Sequence, residues 1–416
     1  MYYYKINENI LISEDIIPNY KKLKEEEIKA PQGNIFFAMK KPPLLYRSIF
    51  KIYDEDILNY SSEGVELLNR NNNHLKNYPK WIYNAMEKGD AYFINTGYPL
   101  WMDFIKDDNT KKSRYDINVI GLGDVGGILS SGLKLLGEGV IGSIGLYDRN
   151  ENKVIRWKNE ISSIIDINET EDIKVKALNE DEIFNCDVLV FCVSVGVPEI
   201  NASVNDVRMV QFQGNKDIIS HYAKEARIRN FSGIFAVVSD PVDLLCKAVF
   251  LESNKDLNGN YDFKGIPSHR IRGYGLGVMN ARAKYYSESH GIYSNYDKEG
   301  RVFGPHGEGL IAANSISNYN SSLSEAITSL TKNANLEVRA SGFKPYIAPA
   351  LSSGAISIIA TLKEDWHYAS TFLGGIFMGT RCRYNEAYGT ILEKYNLPQK
   401  LFKKLKETEA YLHNLY

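Results

Sequence analysis

The segment Ile117-Asn-Val-Ile-Gly121-Leu-Gly123-Asp124-Val125-Gly126 sets a Gly-x-Gly-x-x-Gly run directly behind a short apolar strand. An amphipathic stretch follows, Val125 to Leu136, whose Ile128, Leu129, Leu133, Leu135 and Leu136 fall largely on one face. In that setting the first glycine makes the tight turn, the second lets a pyrophosphate approach the backbone, and the third lets the helix pack on the strand. The next strand, Ser143 to Tyr147, ends at Asp148, 22 residues beyond the last glycine. An acidic residue there can bind the adenosine ribose hydroxyls. Gly121, Gly123, Asp124, Val125, Gly126 and Asp148 are therefore candidate dinucleotide-binding residues, joined by Val193 and Gly196 behind a later strand, Asp187 to Val193. A carboxylate at 148 repels a 2′-phosphate and favours NAD over NADP, a preference softened by Arg149 beside it. The other reading of Asp148 is a solvated turn residue.

Around this unit the chain alternates short apolar runs with amphipathic stretches, the pattern of a parallel α/β sheet. Further strands are expected at Ile173 to Ala177 and Ile234 to Val238, and helices at Val207 to Arg229 and Met279 to His290. A terminal helix, opened by Pro398, is expected up to Leu412. Residues 1–112 differ: they are rich in Tyr, Asn and Lys and end in the polar run Lys106 to Ser113, which reads as a linker. Trp81 to Met86 and Tyr98 to Met102 can form a small core, so this part is expected to be a folded appendage. The expected organisation is an appendage over 1–112, a Rossmann domain over 113–273 and a catalytic domain over 274–416.

Of the 416 residues 44% are apolar and 24% charged, and the formal net charge is −2. That balance carries no basic field of the kind that draws a protein to nucleic acid or an anionic membrane. No stretch approaches the ~18 uninterrupted apolar residues of a spanning helix, and the start has neither a basic n-region nor an apolar h-region. The expected location is cytoplasmic. Cys186, Cys192, Cys246 and Cys382 include no Cys-x-x-Cys pair and are expected to be reduced and mostly buried. No His, Cys, Asp and Glu cluster has metal-ligand spacing, and no metal is expected.

Three downstream stretches complete a pattern: Val238-Ser-Asp240-Pro-Val-Asp-Leu-Leu245, Arg272-Gly-Tyr-Gly-Leu-Gly-Val-Met279-Asn-Ala-Arg282 and Val302-Phe-Gly-Pro-His306-Gly-Glu308. In this order behind the glycine run, the chain from about Tyr115 to the end resembles the NAD-dependent lactate/malate dehydrogenase family. The resemblance implies a doubly wound Rossmann domain followed by an α+β catalytic domain, with residues 1–112 an extension that has no counterpart in the family core. It implies NAD as cofactor, a small-molecule carboxylate as substrate, and a dimer or tetramer of like chains. It also implies roles. His306 is the acid/base, Arg282 grips the substrate carboxylate, and Arg208 is the loop arginine that closes over the carbonyl. These suit what the reduction of a 2-oxo acid needs: a cation for the carboxylate, donors to polarise the carbonyl and an acid for the forming alkoxide. The loop before Arg208, Gly196 to Val207, is longer than the family norm, and Glu199 to Ser203 is the expected substrate-selecting region.

The pattern breaks at Met279, where the family has the aspartate that holds the catalytic histidine. A methionine cannot orient an imidazole or stabilise its charge. A second departure, Asp240 in place of the family asparagine, suggests two uses: pairing with His306, or binding a cationic group on the substrate. Lys344, in Ser341 to Ile347, stands where the family has a small or polar residue and is a candidate substrate contact. His290 and His367 lie outside every motif. The expected function is interconversion of a 2-hydroxy and a 2-oxo acid. Two other readings stand beside it: a dinucleotide-binding sensor, and a tailoring reductase for a peptide- or carrier-bound substrate.

Overall fold

The structure, a computed structural model, describes residues 1–18, 20–28, 33–53, 63–70, 78–105, 112–165, 167, 172–195 and 207–416, the side chains of 207–211 excepted. Strands β1 (Tyr2–Ile6), β2 (Asn9–Ser13), β3 (Lys22–Leu23), β4 (Ile35–Met39), β5 (Ile49–Lys51) and β6 (Ala91–Asn95) form a first sheet, in the order β3-β1-β2-β4-β6-β5. Helix α1 (Lys80–Lys88) buries Ile82, Ala85 and Met86, which join Ile35, Phe37, Phe50 and Phe93 in one apolar cluster.

Among the described residues the second sheet has nine strands. Its parallel part comprises β7 (Tyr115–Ile120), β8 (Ile141–Tyr147), β9 (Lys174–Ala177), β10 (Val188–Phe191), β11 (Ile234–Val237) and β12 (Ile271–Gly273). They lie in the order β9-β8-β7-β10-β11-β12, the doubly wound arrangement in which the direction of winding reverses between β7 and β10. The central strands β10 and β11 are short and continuously apolar because both faces are covered, whereas the edge strand β9 is mostly exposed. The covering helices are α2 (Asp124–Leu136), α3 (Glu151–Ser162), α4 (Val207–Ile228) and α5 (Val242–Ser253).

Beyond β12 the chain adds α6 (Leu276–Ser289), α7 (Tyr296–Glu299), the hairpin β13 (Arg301–Phe303) and β14 (Ile311–Ala313), and α8 (Ser321–Ala340). A π-helical segment, Pro349–Ala355, runs into α9 (Ile356–Lys363). Antiparallel strands β15 (His367–Leu373), β16 (Ile376–Asn385) and β17 (Gly389–Leu392) then extend the nine-stranded sheet from the edge of β12, through Gly273 and Ser370. The chain ends in α10 (Gln399–Asn414). No helix among the described residues is long and apolar enough to cross a membrane.

Candidate active site

A cavity of about 1550 Å³ opens at the carboxyl ends of β7, β8, β10 and β11, where the winding reverses. Such a crevice is where open α/β sheets take their ligands. The glycine run forms one wall. Gly121 is left-handed, with φ 90°, and a Cβ there would lie 2.6 Å from the Val193 backbone nitrogen. A Cβ on Gly126 would meet the Gly121 carbonyl oxygen at 2.0 Å, so only glycine lets α2 start this close to β7. At Gly123 a Cβ would meet nothing within 4 Å: the backbone faces open space. This cradle and the first turn of α2 fit a dinucleotide pyrophosphate.

Asp124, Val125, Asp148 and Val193 line the same cavity. Asp148 sits at the end of β8, and both of its carboxylate oxygens are engaged: Oδ2 accepts from the Leu122 N–H at 2.8 Å and Oδ1 from the Asn150 N–H at 2.9 Å. Lys153 Nζ lies 3.6 Å from Oδ2. Gly196 and the expected selecting stretch Glu199 to Ser203 lie outside the described residues. Arg208 falls in the first turn of α4, and its side chain is likewise outside them.

His306, in the loop after β13, faces the cavity from the other side. Its Nδ1 lies 2.6 Å from the Gly275 carbonyl oxygen. A carbonyl can only accept, so Nδ1 carries the proton and donates, and the neutral ring presents its lone pair at Nε2. The same carbonyl accepts from the Ser353 hydroxyl at 2.9 Å, and that hydroxyl oxygen accepts the Val278 N–H at 2.9 Å. The orienting group for the histidine is therefore backbone, held in place by a serine of the π-helical segment. Asp240 is on the cavity wall, but its Oδ1 is buried with no hydrogen-bond partner among the described residues.

Met279 is fully buried in the apolar cluster of α6, with its Sδ 3.9 Å from Arg282 Nη1. Arg282 Nη2 donates to Asn335 Oδ1 at 2.5 Å, and it is Asn335 that stands on the wall, with Arg339 one turn later on α8. Lys344 belongs to the other end of the cavity. Its Nζ is 3.3 Å from Asp124 Oδ2, beside the glycine loop, and it lines the cavity there.

Four site groups went unassigned in the sequence. Asp243, inside a motif singled out above, accepts the His306 backbone N–H at 3.2 Å and the Ser370 hydroxyl at 2.6 Å, and burial raises its pKa to about 6. Asn215 is buried and joins two loops, accepting from the Val195 N–H at 2.8 Å and donating to the Asp240 carbonyl at 2.7 Å. Ser353 and Asn335 carry no local sequence signal at all.

No family model matches the chain. Among curated proteins it is 24% identical over 193 residues to an L-lactate dehydrogenase of Oceanobacillus iheyensis, covering 46% of this chain and 53% of that one. It is 27% identical over 202 residues to an L-lactate dehydrogenase of Thermoanaerobacterium saccharolyticum, covering 49% and 58%. The matched stretch thus spans little more than half the length of these relatives. Among solved structures, the minor L-lactate dehydrogenase of Enterococcus mundtii superposes with a TM-score of 0.59 at 18% identity, over 73% of this chain and 98% of that one. The malate dehydrogenase of Picrophilus torridus gives 0.57 at 16% identity, over 72% and 95%. The chain is lactate/malate dehydrogenase-like. The superpositions cover nearly the whole of each solved neighbour, so this lactate/malate dehydrogenase-like chain shares their fold.

Proposed function

We propose that the chain is an NAD(H)-dependent oxidoreductase interconverting a 2-hydroxy acid and a 2-oxo acid, with His306 as acid/base. The observation that supports it most is the pairing of His306 Nδ1 with the Gly275 carbonyl in the cavity that also holds the glycine cradle. The bound nicotinamide supplies or accepts a hydride. His306 does the proton work: a neutral ring fixed with Nδ1–H inward takes the hydroxyl proton at Nε2 in oxidation and returns it in reduction. The Gly275 carbonyl, already accepting from Ser353, stabilises the resulting imidazolium less than a carboxylate would, and Asp243 beneath the loop holds the backbone of His306 in place. Arg282, through Asn335, and Arg208 at the start of α4 are proposed to bind the carboxylate and polarise the carbonyl. The domain limits 1–112, 113–273 and 274–416 and a homo-oligomeric assembly are part of the same proposal.

The test is NADH oxidation with a panel of 2-oxo acids, from pyruvate and oxaloacetate to bulky and amine-bearing ones. Turnover should fall by about 10²–10⁴-fold in His306→Ala, while NADH binding by fluorescence is retained. Turnover that survives this substitution sinks the assignment. The sensor reading drew on Met279, and it loses ground because a backbone carbonyl already orients the histidine. Binding of NADH with no turnover on any acid would restore it.

A further inference from the structure

Asp240 stands in the loop between β11 and α5 and lines the cavity. The loop is tied down from two sides. The Asn215 side chain donates to the Asp240 carbonyl at 2.7 Å, and the Ser239 hydroxyl donates to the Val193 carbonyl at 2.7 Å. The carboxylate is left unmatched. Its Oδ1 is sealed from water with no hydrogen-bond partner, and no lysine or arginine pairs with it among the described residues. Two lysines of the cavity are engaged elsewhere, Lys153 with Asp148 and Lys344 with Asp124. A second carboxylate adds to the negative charge: Asp243 is buried in the first turn of α5, and its pKa is raised by burial and, to a smaller extent, by Asp240. A half-buried carboxylate with one oxygen lacking a donor costs free energy, which a cation placed in the cavity would offset. Positive charge reaches the same cavity from α8 and α6, through Arg339 on the wall and Arg282 behind Asn335. The cavity thus has a place for an anion and a separate place for a cation.

We infer that the substrate is a 2-hydroxy or 2-oxo acid carrying an ammonium group beyond its carboxylate, and that Asp240 is the residue that selects it. The inference rests on the hydroxy-acid reading of the site and names its substrate class. A second carboxylate on the substrate would face Asp240 with Asp243 behind it and be repelled, and an alkyl chain would leave Asp240 unmatched. An ammonium supplies the opposite charge together with N–H donors for the carboxylate oxygens.

NADH formation by the full chain from NAD⁺ and matched pairs of 2-hydroxy acids tests it. 3-Amino-2-hydroxypropanoate is set against 2-hydroxybutanoate, and 4-amino-2-hydroxybutanoate against 2-hydroxypentanoate, so that an ammonium replaces a methyl group of like size. Malate brings the second carboxylate. In the wild type kcat/KM should be about tenfold or more higher for the ammonium-bearing member of at least one pair, with malate the poorest substrate. In Asp240→Asn that ratio should fall by about tenfold or more. Quenching of tryptophan fluorescence by NAD⁺ and NADH in both proteins separates the substrate from the oxidised nicotinamide ring, another cation that could meet Asp240. Equal or better turnover of the alkyl acids by the wild type overturns the inference, as does a ratio unchanged in Asp240→Asn. So does a substitution whose only effect is weaker NAD⁺ binding. Those outcomes leave the proposed function standing. If no acid of either kind turns over, both readings fall together.

Discussion

Arg272 lies fully buried in β12, and no carboxylate pairs with it among the described residues. Its guanidinium donates to Thr390 Oγ1 at 2.8 Å, to His367 Nε2 at 3.1 Å and to Cys382 Sγ at 3.2 Å, and lies 4.9 Å from the Tyr384 ring centre. A guanidinium cannot accept, so His367 must offer a lone pair at Nε2, while its Nδ1–H donates to the Asp365 carbonyl at 2.9 Å. Burial first, and the Arg272 charge second, push the His367 pKa from 6.5 to about 3. Between those values the folded chain binds fewer protons than the unfolded one. His367 therefore contributes stability that is complete above about pH 6.5 and is lost as pH falls towards about 3. Asp243, raised from 3.8 to about 6, acts with the opposite sign, favouring the fold at the acid end of its window, but over a smaller shift. The two oppose each other over most of the range from about pH 6 to 4, so the informative quantity is the difference between His367→Gln and the wild type in thermal unfolding: the variant should cost about 1–3 kcal/mol at neutral pH and progressively less as pH falls towards about 4. A cost that stays constant over that range would contradict this. His367 stood outside every motif because its role is set by a strand neighbour 95 residues away.

Among the elements, the pairing of α2 with α3 positions the nucleotide loop. A Cβ on Gly127 would lie 1.9 Å from Trp157 Cζ2, so a fourth glycine beyond the motif gives the indole its place. Trp157 Nε1 in turn donates to the Leu122 carbonyl at 3.1 Å, fixing the turn between Gly121 and Gly123. Trp157→Phe should weaken NADH binding by about fivefold to tenfold in a fluorescence titration, the worth of about one buried hydrogen bond. Gly127→Ala should lower stability by about 1–3 kcal/mol in denaturant unfolding, since the ring has to move. The helices and strands of this unit are legible locally: β7, α2, β8, β9 and α4 start and stop within a few residues of the periodicity. Two elements depart from it for tertiary reasons. β10 ends at Phe191, before the expected Val193, because the chain leaves the sheet there to line the cavity, and Asn215 holds Val195. α6 starts at Leu276, ahead of the expected Met279, although Gly277 is a poor helix residue. A Cβ at Gly277 would come within 2.5 Å of the Ser352 carbonyl, so glycine is what lets the π-helical segment approach and its Ser353 cap Val278.

For the whole molecule, residues 1–112 do more than append a sheet. Val65, Leu67 and Leu68 belong to the same apolar cluster as Leu401, Leu405 and Leu412 of α10 and the strands of the nine-stranded sheet. The Leu68 carbonyl accepts the Tyr395 N–H at 2.9 Å, and Glu409 Oε1 accepts the Val65 N–H at 3.0 Å. Ser48 Oγ lies 2.7 Å from His269 Nδ1, and Tyr98 Oη donates to Ser268 Oγ at 3.3 Å. Arg47 and Glu63 form a buried ion pair at 3.1 Å across the same region. Deleting 1–112 should therefore leave three apolar side chains' worth of core exposed, each worth about 1.5–3 kcal/mol on full burial. The truncated chain should be insoluble or unfold well below the wild type in a thermal melt. A truncated chain that melts like the full one would show that the first sheet is independent.

The sequence by itself determined the glycine-rich strand–turn–helix unit and the lactate/malate dehydrogenase-like succession of motifs, because a tight turn, an amphipathic period and a left-handed glycine are local demands. It also marked His306 through the loop that carries it. Only the tertiary structure shows which group stands at His306 Nδ1, the Gly275 carbonyl. The Gly275 carbonyl is a group every residue has, and what makes it special is Ser353, 78 residues further on. The partners of Asp148 are likewise a matter of the fold: its carboxylate accepts the Leu122 and Asn150 N–H groups and lies 3.6 Å from Lys153 Nζ. Charge is written in the sequence, but the partners that spend or spare it are brought together only by folding.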